Sequence, residues 1–414
     1  MKQALQALLA LVAILALATP AHAWLSRGGL ACPFGSAYSD GCVGAPAGGS
    51  YIDRNFFNDV RQSGQTYVTR PPWNVPGVDY AIGYTGTLQD PATATLPTGC
   101  SYNATGVAGH TTWPTIFCNS FAGATNPTLS GLNLSSVGGH SCTTLMFNNA
   151  LAGPVTYSNN YYKWDATCGG GPFSSISAST ASVTVTSNTV DMTDASPGEM
   201  AAVTIDVTGA QTYQYNVFIN SQCRWVSNLA GGNTPGDTVI QFNAFIGMGY
   251  SCSDTGVHLE SYETSGGHAT GLGTMANFNT SFNVVSMAGS WNGLMAGVVS
   301  PFFQNNNGYG TNTVTNTIIN NNVLIGNSAN AGVSGLGYLV QLQHNYMTNV
   351  SIQNNYVDST GTFGNYICAN APDSNAGGVT PFGSAPTIAG NIDLKTGAAA
   401  NSMNYSGSCK AYGL

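Results

Sequence analysis

Charge is what this sequence most lacks. Nine basic and seventeen acidic residues serve 414 positions, so charged residues are 6% of the chain, against roughly 25% in an ordinary soluble domain. That scarcity excludes a coiled coil or an exposed helical bundle, whose solvent faces need Glu, Lys and Arg. The want of a basic stripe excludes nucleic-acid binding, because phosphate contacts need clustered Lys and Arg. The 52 glycines follow no strict period, which excludes collagen. Few charges combined with 43% hydrophobic residues exclude a disordered chain. What remains is a folded protein whose surface is polar through Asn, Ser, Thr, Gln and Gly.

Residues 1–23 read as a secretory signal. Lys2 is their only charge, Ala7 to Ala18 is apolar, and Ala21-His22-Ala23 gives the small-x-small cleavage pattern. The apolar run is too short to span a bilayer comfortably, and no later run approaches 18 residues, so no membrane span is expected in the mature chain. The formal net charge of −8 becomes one more negative when Lys2 leaves. A secreted location, whether extracellular, cell-surface or periplasmic, is therefore expected.

All ten cysteines follow the leader, and an even number in an exported chain predicts disulfides. No Cys-x-x-Cys suggests a zinc or redox site. Neighbour pairing closes the shortest loops: Cys32–Cys42, Cys100–Cys118, Cys142–Cys168, Cys223–Cys252 and Cys368–Cys409.

A local pattern recurs after about residue 130: a β-branched or aromatic run, an Asn, then a second apolar run. Its asparagines are Asn160, Asn188, Asn216, Asn243, Asn283, Asn322, Asn355 and Asn391, separated by 28, 28, 27, 40, 39, 33 and 36 residues. Repeats of this length mean a solenoid or an array, and short strands without 3.6 periodicity exclude a helical one. A parallel β-helix fits best, with an antiparallel sandwich as the poorer choice. Each Asn is expected to occupy a left-handed turn position between strands and to bond along the stack. The expected organisation is an N-terminal cap over 24–125, rich in Pro and Arg, a β-helix over 126–395, and a C-terminal cap over 396–414.

Pro71 to Tyr80, Pro127 to Leu134 and the Asn turns together resemble secreted bacterial proteins of the pectate-lyase-like, right-handed parallel β-helix superfamily. The resemblance covers about residues 70–395. It implies an all-β fold, a right-handed parallel β-helix with a disulfide-bonded N-terminal cap. It speaks less to reaction, since one fold hosts many activities.

The densest titratable cluster is Asp254, His258, Glu260, Glu263 and His268. Thr255 to Tyr262 alternates like a strand, which would turn His258, Glu260 and Tyr262 to one outer face. The resemblance implies a His-x-Asp-Gly-x-Gln stretch at this place; the chain keeps only its His-x-acid part, at His258 and Glu260, and lacks the Gly and Gln. Arg224, one coil earlier, suits a substrate carboxylate. Abstraction of a proton beside a uronate carboxylate would use Arg224 or His258 as base, with calcium held by Asp254, Glu260 and Glu263. Tyr250, Tyr262, Trp291 and Tyr309 could stack on sugar rings. The leading expectation is a uronate-directed lyase, or a related polysaccharide-active or polysaccharide-binding protein. A non-catalytic adhesive or matrix rod and a glycoside hydrolase with paired carboxyl groups stand as alternatives.

Overall fold

The computed structural model describes residues 67–135 and 142–404 apart from short stretches, the longer being 196–200, 229–235, 250–261, 267–273, 288–296, 306–312, 327–337, 359–365 and 370–383. Within them the chain winds as a parallel β-helix, of the right-handed kind that parallel crossovers nearly always adopt. One coil runs through strands Val155–Ser158, Tyr161–Lys163 and Phe173–Ile176. The next repeats it with Val183–Thr186, Thr189–Asp191 and Ala201–Ile205.

Stacking these coils builds long sheets. The first runs from Thr128–Ser130 to Thr387–Ala389, and the second from Tyr161–Lys163 to Ile392–Asp393. The third runs from Cys100–Asn103 to Pro301–Asn305. A fourth, from Gly297–Val299 to Met403–Asn404, takes over that side for the last coils. Among the described residues the only helical element is the single turn Ser120–Ala122.

The Asn repeat sets the register. Asn216 donates its amide to Asn243 Oδ1 at 3.0 Å and to the Val185 carbonyl at 2.8 Å. Its own Oδ1 accepts from the Asn188 backbone N–H and side-chain amide, both at 3.0 Å. The same pattern links Asn160 through Asn355 to Asn391, and Asn401 accepts the last amide at 2.9 Å. These asparagines are buried. Each amide joins three successive coils, and aligned amide dipoles polarise one another in the low-dielectric interior.

The left-handed position is one residue earlier than the sequence suggests. Positive φ of 55–58° falls on Asn159, Ser187, Tyr215, Phe242, Phe282, Asn321 and Asn354, which precede the ladder asparagines. The turn needs one left-handed residue to bring the following amide inward. Gly390 fills the same place before Asn391, at φ 68°.

The interior is apolar and aromatic. Phe218 stacks on Phe245 with centroids 4.9 Å apart, and Trp225 covers the ring of Phe245 at 3.8 Å. Strands of the second sheet are buried on both faces, as parallel strands covered on both sides must be.

The outer cover is supplied by residues 67–85, which run along the rod. Tyr67 donates to Asp358 at 2.9 Å and the Val68 N–H to the Leu394 carbonyl, near the last coil. Further along, Trp73 meets Tyr356 and Phe282 edge-on. The Gly83 N–H reaches the Tyr215 carbonyl, the Tyr84 N–H reaches Thr189 Oγ1, and Thr85 N–H reaches Asn159 Oδ1. Tyr67, Val75, Val78 and Ile82 pack on Val217, Ala244, Ile246, Val284, Val323 and Ile325. Residues 67–85 are thus a strap along the second sheet, beyond the capping role expected of 24–125.

The cap proper follows. Gln89 joins the first coil through Gly131 and Asn133, and Cys100–Asn103 pairs antiparallel with Thr115–Cys118. The disulfides Cys100–Cys118 and Cys142–Cys168 are present as the spacing predicts. The pairings Cys32–Cys42 and Cys223–Cys252, and Cys409 of the fifth, lie outside the described residues.

Candidate functional site

Tyr250, Asp254, His258, Glu260, His268, Trp291 and Tyr309 lie outside the described residues. Arg224 opens strand Arg224–Asn228, and Tyr262 and Glu263 open strand Tyr262–Gly266. These strands are parallel neighbours, with Val226 opposite Tyr262 and Ser227 opposite Glu263. The fold therefore puts Arg224 on the strand adjacent to Tyr262 and Glu263. Among the described residues no group of three His, Cys, Asp or Glu side chains is placed to hold a metal ion.

A different feature stands out on the first sheet. Its strands alternate buried and half-exposed residues, and parallel register lines the outward residues up in two columns. One column begins Thr128, Thr156, Thr184 and Thr212 and continues through Val239, Asn279, Ile318 and Ser351. The other runs Ser158, Thr186, Gln214, Gln241, Ser281, Asn320 and Gln353. No charged residue interrupts either column across these coils. Gln241 donates to Ser281 at 2.8 Å, and Asn320 exchanges hydrogen bonds with Ser351 at 3.1 Å. The result is a neutral face, mostly of hydroxyl and amide groups with Val239 and Ile318 among them and Ser281 buried, held by the sheet beneath and by bonds between neighbours.

An aromatic stack borders this face at the corner between the first and second sheets. Tyr215, Phe242 and Phe282 hold successive left-handed positions, and their rings stack at 5.2 Å with tilts of 7° and 14°. Trp73 closes the Phe282 end edge-on at 5.9 Å. Tyr215 is 38% exposed. Burial pushes the nearby Tyr80 phenol up to about 12, with Tyr215 and Asp79 adding to the shift.

Sequence reasoning looked for titratable groups and so passed over both features. The period that located the asparagines also fixes which residues face outward two positions before them, so the columns were readable. The stack was not, because bulky side chains rarely take a left-handed backbone.

No protein-family model, curated protein or solved structure matches the chain.

Proposed function

We propose that the protein is an exported polysaccharide-binding rod that lays a glycan along the outward face of its first sheet. The observation that carries this reading is the uncharged column of hydroxyl and amide groups from Ser158 to Gln353, continuous over successive coils beside the four threonines Thr128, Thr156, Thr184 and Thr212. Such a surface offers donors and acceptors in alternation, which matches a polyhydroxylated chain. It has no charge with which to select an anionic or cationic one. Rigid, pre-organised groups lose little entropy on binding.

The test is a panel of insoluble and soluble polysaccharides, neutral and uronate-containing, measured by depletion from solution. Retention on neutral polymers, reduced in Thr184→Lys and Thr212→Lys, supports the reading. Equal retention of both variants, or none by the natural protein, overturns it.

Elimination at a uronate is a second reading, favoured by the position of Arg224 beside the Tyr262–Gly266 strand. Its test is the appearance of ultraviolet-absorbing unsaturated ends with and without calcium, and their loss in Arg224→Ala.

A further inference from the structure

The corner positions form one column. Asn159, Ser187, Tyr215, Phe242 and Phe282 share φ values of 56–58°, so their side chains leave the backbone in the same direction. From Phe282 down to Tyr215 this column is filled by rings in contact. At the next step the ring is missing. Ser187 sits there, its N–H bonded to the Gln214 carbonyl at 3.0 Å, and its side chain ends in a hydroxyl. Below it the Asn159 amide is fixed to the strap, donating to the Thr85 carbonyl at 2.6 Å.

The Tyr215 ring is therefore the end of the stack. One face lies on Phe242, and the residue as a whole is 38% exposed. Two coil steps of about 4.8 Å separate Tyr215 from Asn159. A ring held between two surfaces needs two contacts of roughly 3.5–4.0 Å, and a puckered sugar needs slightly more. By this spacing, the step at Ser187 is tall enough for one ring.

The geometry points to a sugar-binding slot at Ser187, in which one neutral pyranose stacks on the face of Tyr215 turned away from Phe242. The negative face of an aromatic ring favours the polarised C–H bonds on the flat side of a pyranose. The slot's polar rim matches the sugar's hydroxyl edge: Ser187 Oγ and Thr186 Oγ1 lie 3.5 Å apart beside it. It adjoins the hydroxyl and amide column, since Thr186 and Gln214 immediately precede Ser187 and Tyr215. A glycan lying along the face would anchor one residue here. This inference rests on the polysaccharide-binding reading and names the subsite that fixes the chain's position.

The experiment is titration calorimetry with cellohexaose, xylohexaose and mannohexaose, and with indole as an aromatic control. Ser187→Phe fills the slot with the ring that Phe242 and Phe282 already show the corner accepts. It should keep the melting temperature and weaken hexaose binding at least tenfold. Tyr215→Leu should weaken it similarly by removing the stacking face, while Tyr215→Phe should bind as the natural protein does. Saturation transfer from aromatic to sugar protons should vanish in Tyr215→Leu. Hexaose binding that Ser187→Phe and Tyr215→Leu both leave unchanged overturns the slot and spares the face. Binding of indole but of no hexaose overturns the choice of a sugar. No binding of any hexaose by the natural protein overturns both readings.

Discussion

A ladder asparagine uses every hydrogen-bonding position it has. At Asn216 the amide donates twice and the carbonyl oxygen accepts twice, in a site with no access to water. Asn216→Ala leaves the Asn188 amide and the Val185 carbonyl without these partners. Each buried unsatisfied group costs about 1–3 kcal/mol, so a loss of several kcal/mol is expected in chemical denaturation. Asn216→Asp keeps the acceptor but turns a buried anion toward Asn243 Oδ1 and the Val185 carbonyl. Its instability should deepen as pH rises, because only the protonated acid can donate. Asp191 tests the same physics in the natural protein. Burial raises its pKa above the usual carboxylate value, against lowering by Thr193 hydrogen bonds and Lys163. A raised carboxyl favours the folded state in acid, and that contribution is lost as pH climbs through the shifted value. Asp191→Asn should therefore melt higher near neutral pH and show a flatter dependence on pH. Equal melting curves at acid and neutral pH for both proteins would contradict the buried-charge assignment.

At the scale of elements, the coil and the strap obey different rules. The coil is written in the sequence because an Asn between two apolar runs recurs every 27–40 residues and must meet the next Asn amide, so the repeated pattern reports the stack. The strap carries no period. Tyr67, Val75, Val78 and Ile82 are spaced by a Pro-broken path over the second sheet, and nothing local says which surface they meet. The left-handed positions hid for a related reason. Phe242 and Phe282 are poor candidates for that backbone taken singly, and contacts within the column, which a single residue cannot announce, hold them there. The titratable cluster was legible as composition, but only the strand placement of Arg224, Tyr262 and Glu263 can be set beside it. Because the strap is tied by a few backbone bonds and side-chain packing, it should open as its own unit. Trp73→Ala removes contacts with Phe282 and Tyr356. Amide exchange is expected to rise at Val68, Gly83 and Tyr84 while Asn188, Asn216 and Asn243 stay protected. Uniform loss of protection along the ladder would show strap and coil to be one cooperative unit.

For the whole molecule, low charge and a repeating coil are two sides of one design. Successive coils hydrogen-bond through backbone and amide, so the rod needs no surface ion pairs to hold its register. Of the ion pairs described, Lys163 with Asp194 at 3.1 Å and Lys395 with Asp358 at 2.9 Å sit at the margins of the second sheet, and Arg70 with Asp79 lies within the strap. A neutral first-sheet face inside a chain of net charge −8 makes opposite demands on two kinds of polymer. A neutral glycan meets no field, so its binding should hardly change between low salt and about 1 M sodium chloride. An anionic polyuronate is repelled at long range, and salt with a Debye length of about 3 Å at 1 M removes that repulsion. Its binding should strengthen as salt rises if the sheet face takes it, and weaken if a salt-sensitive contact with Arg224 does. Measuring both polymers across the salt series separates the three cases in one experiment. Salt-independent binding confined to neutral polymers is the expected result, and a steep fall with salt for a neutral polymer would contradict a binding face without charge.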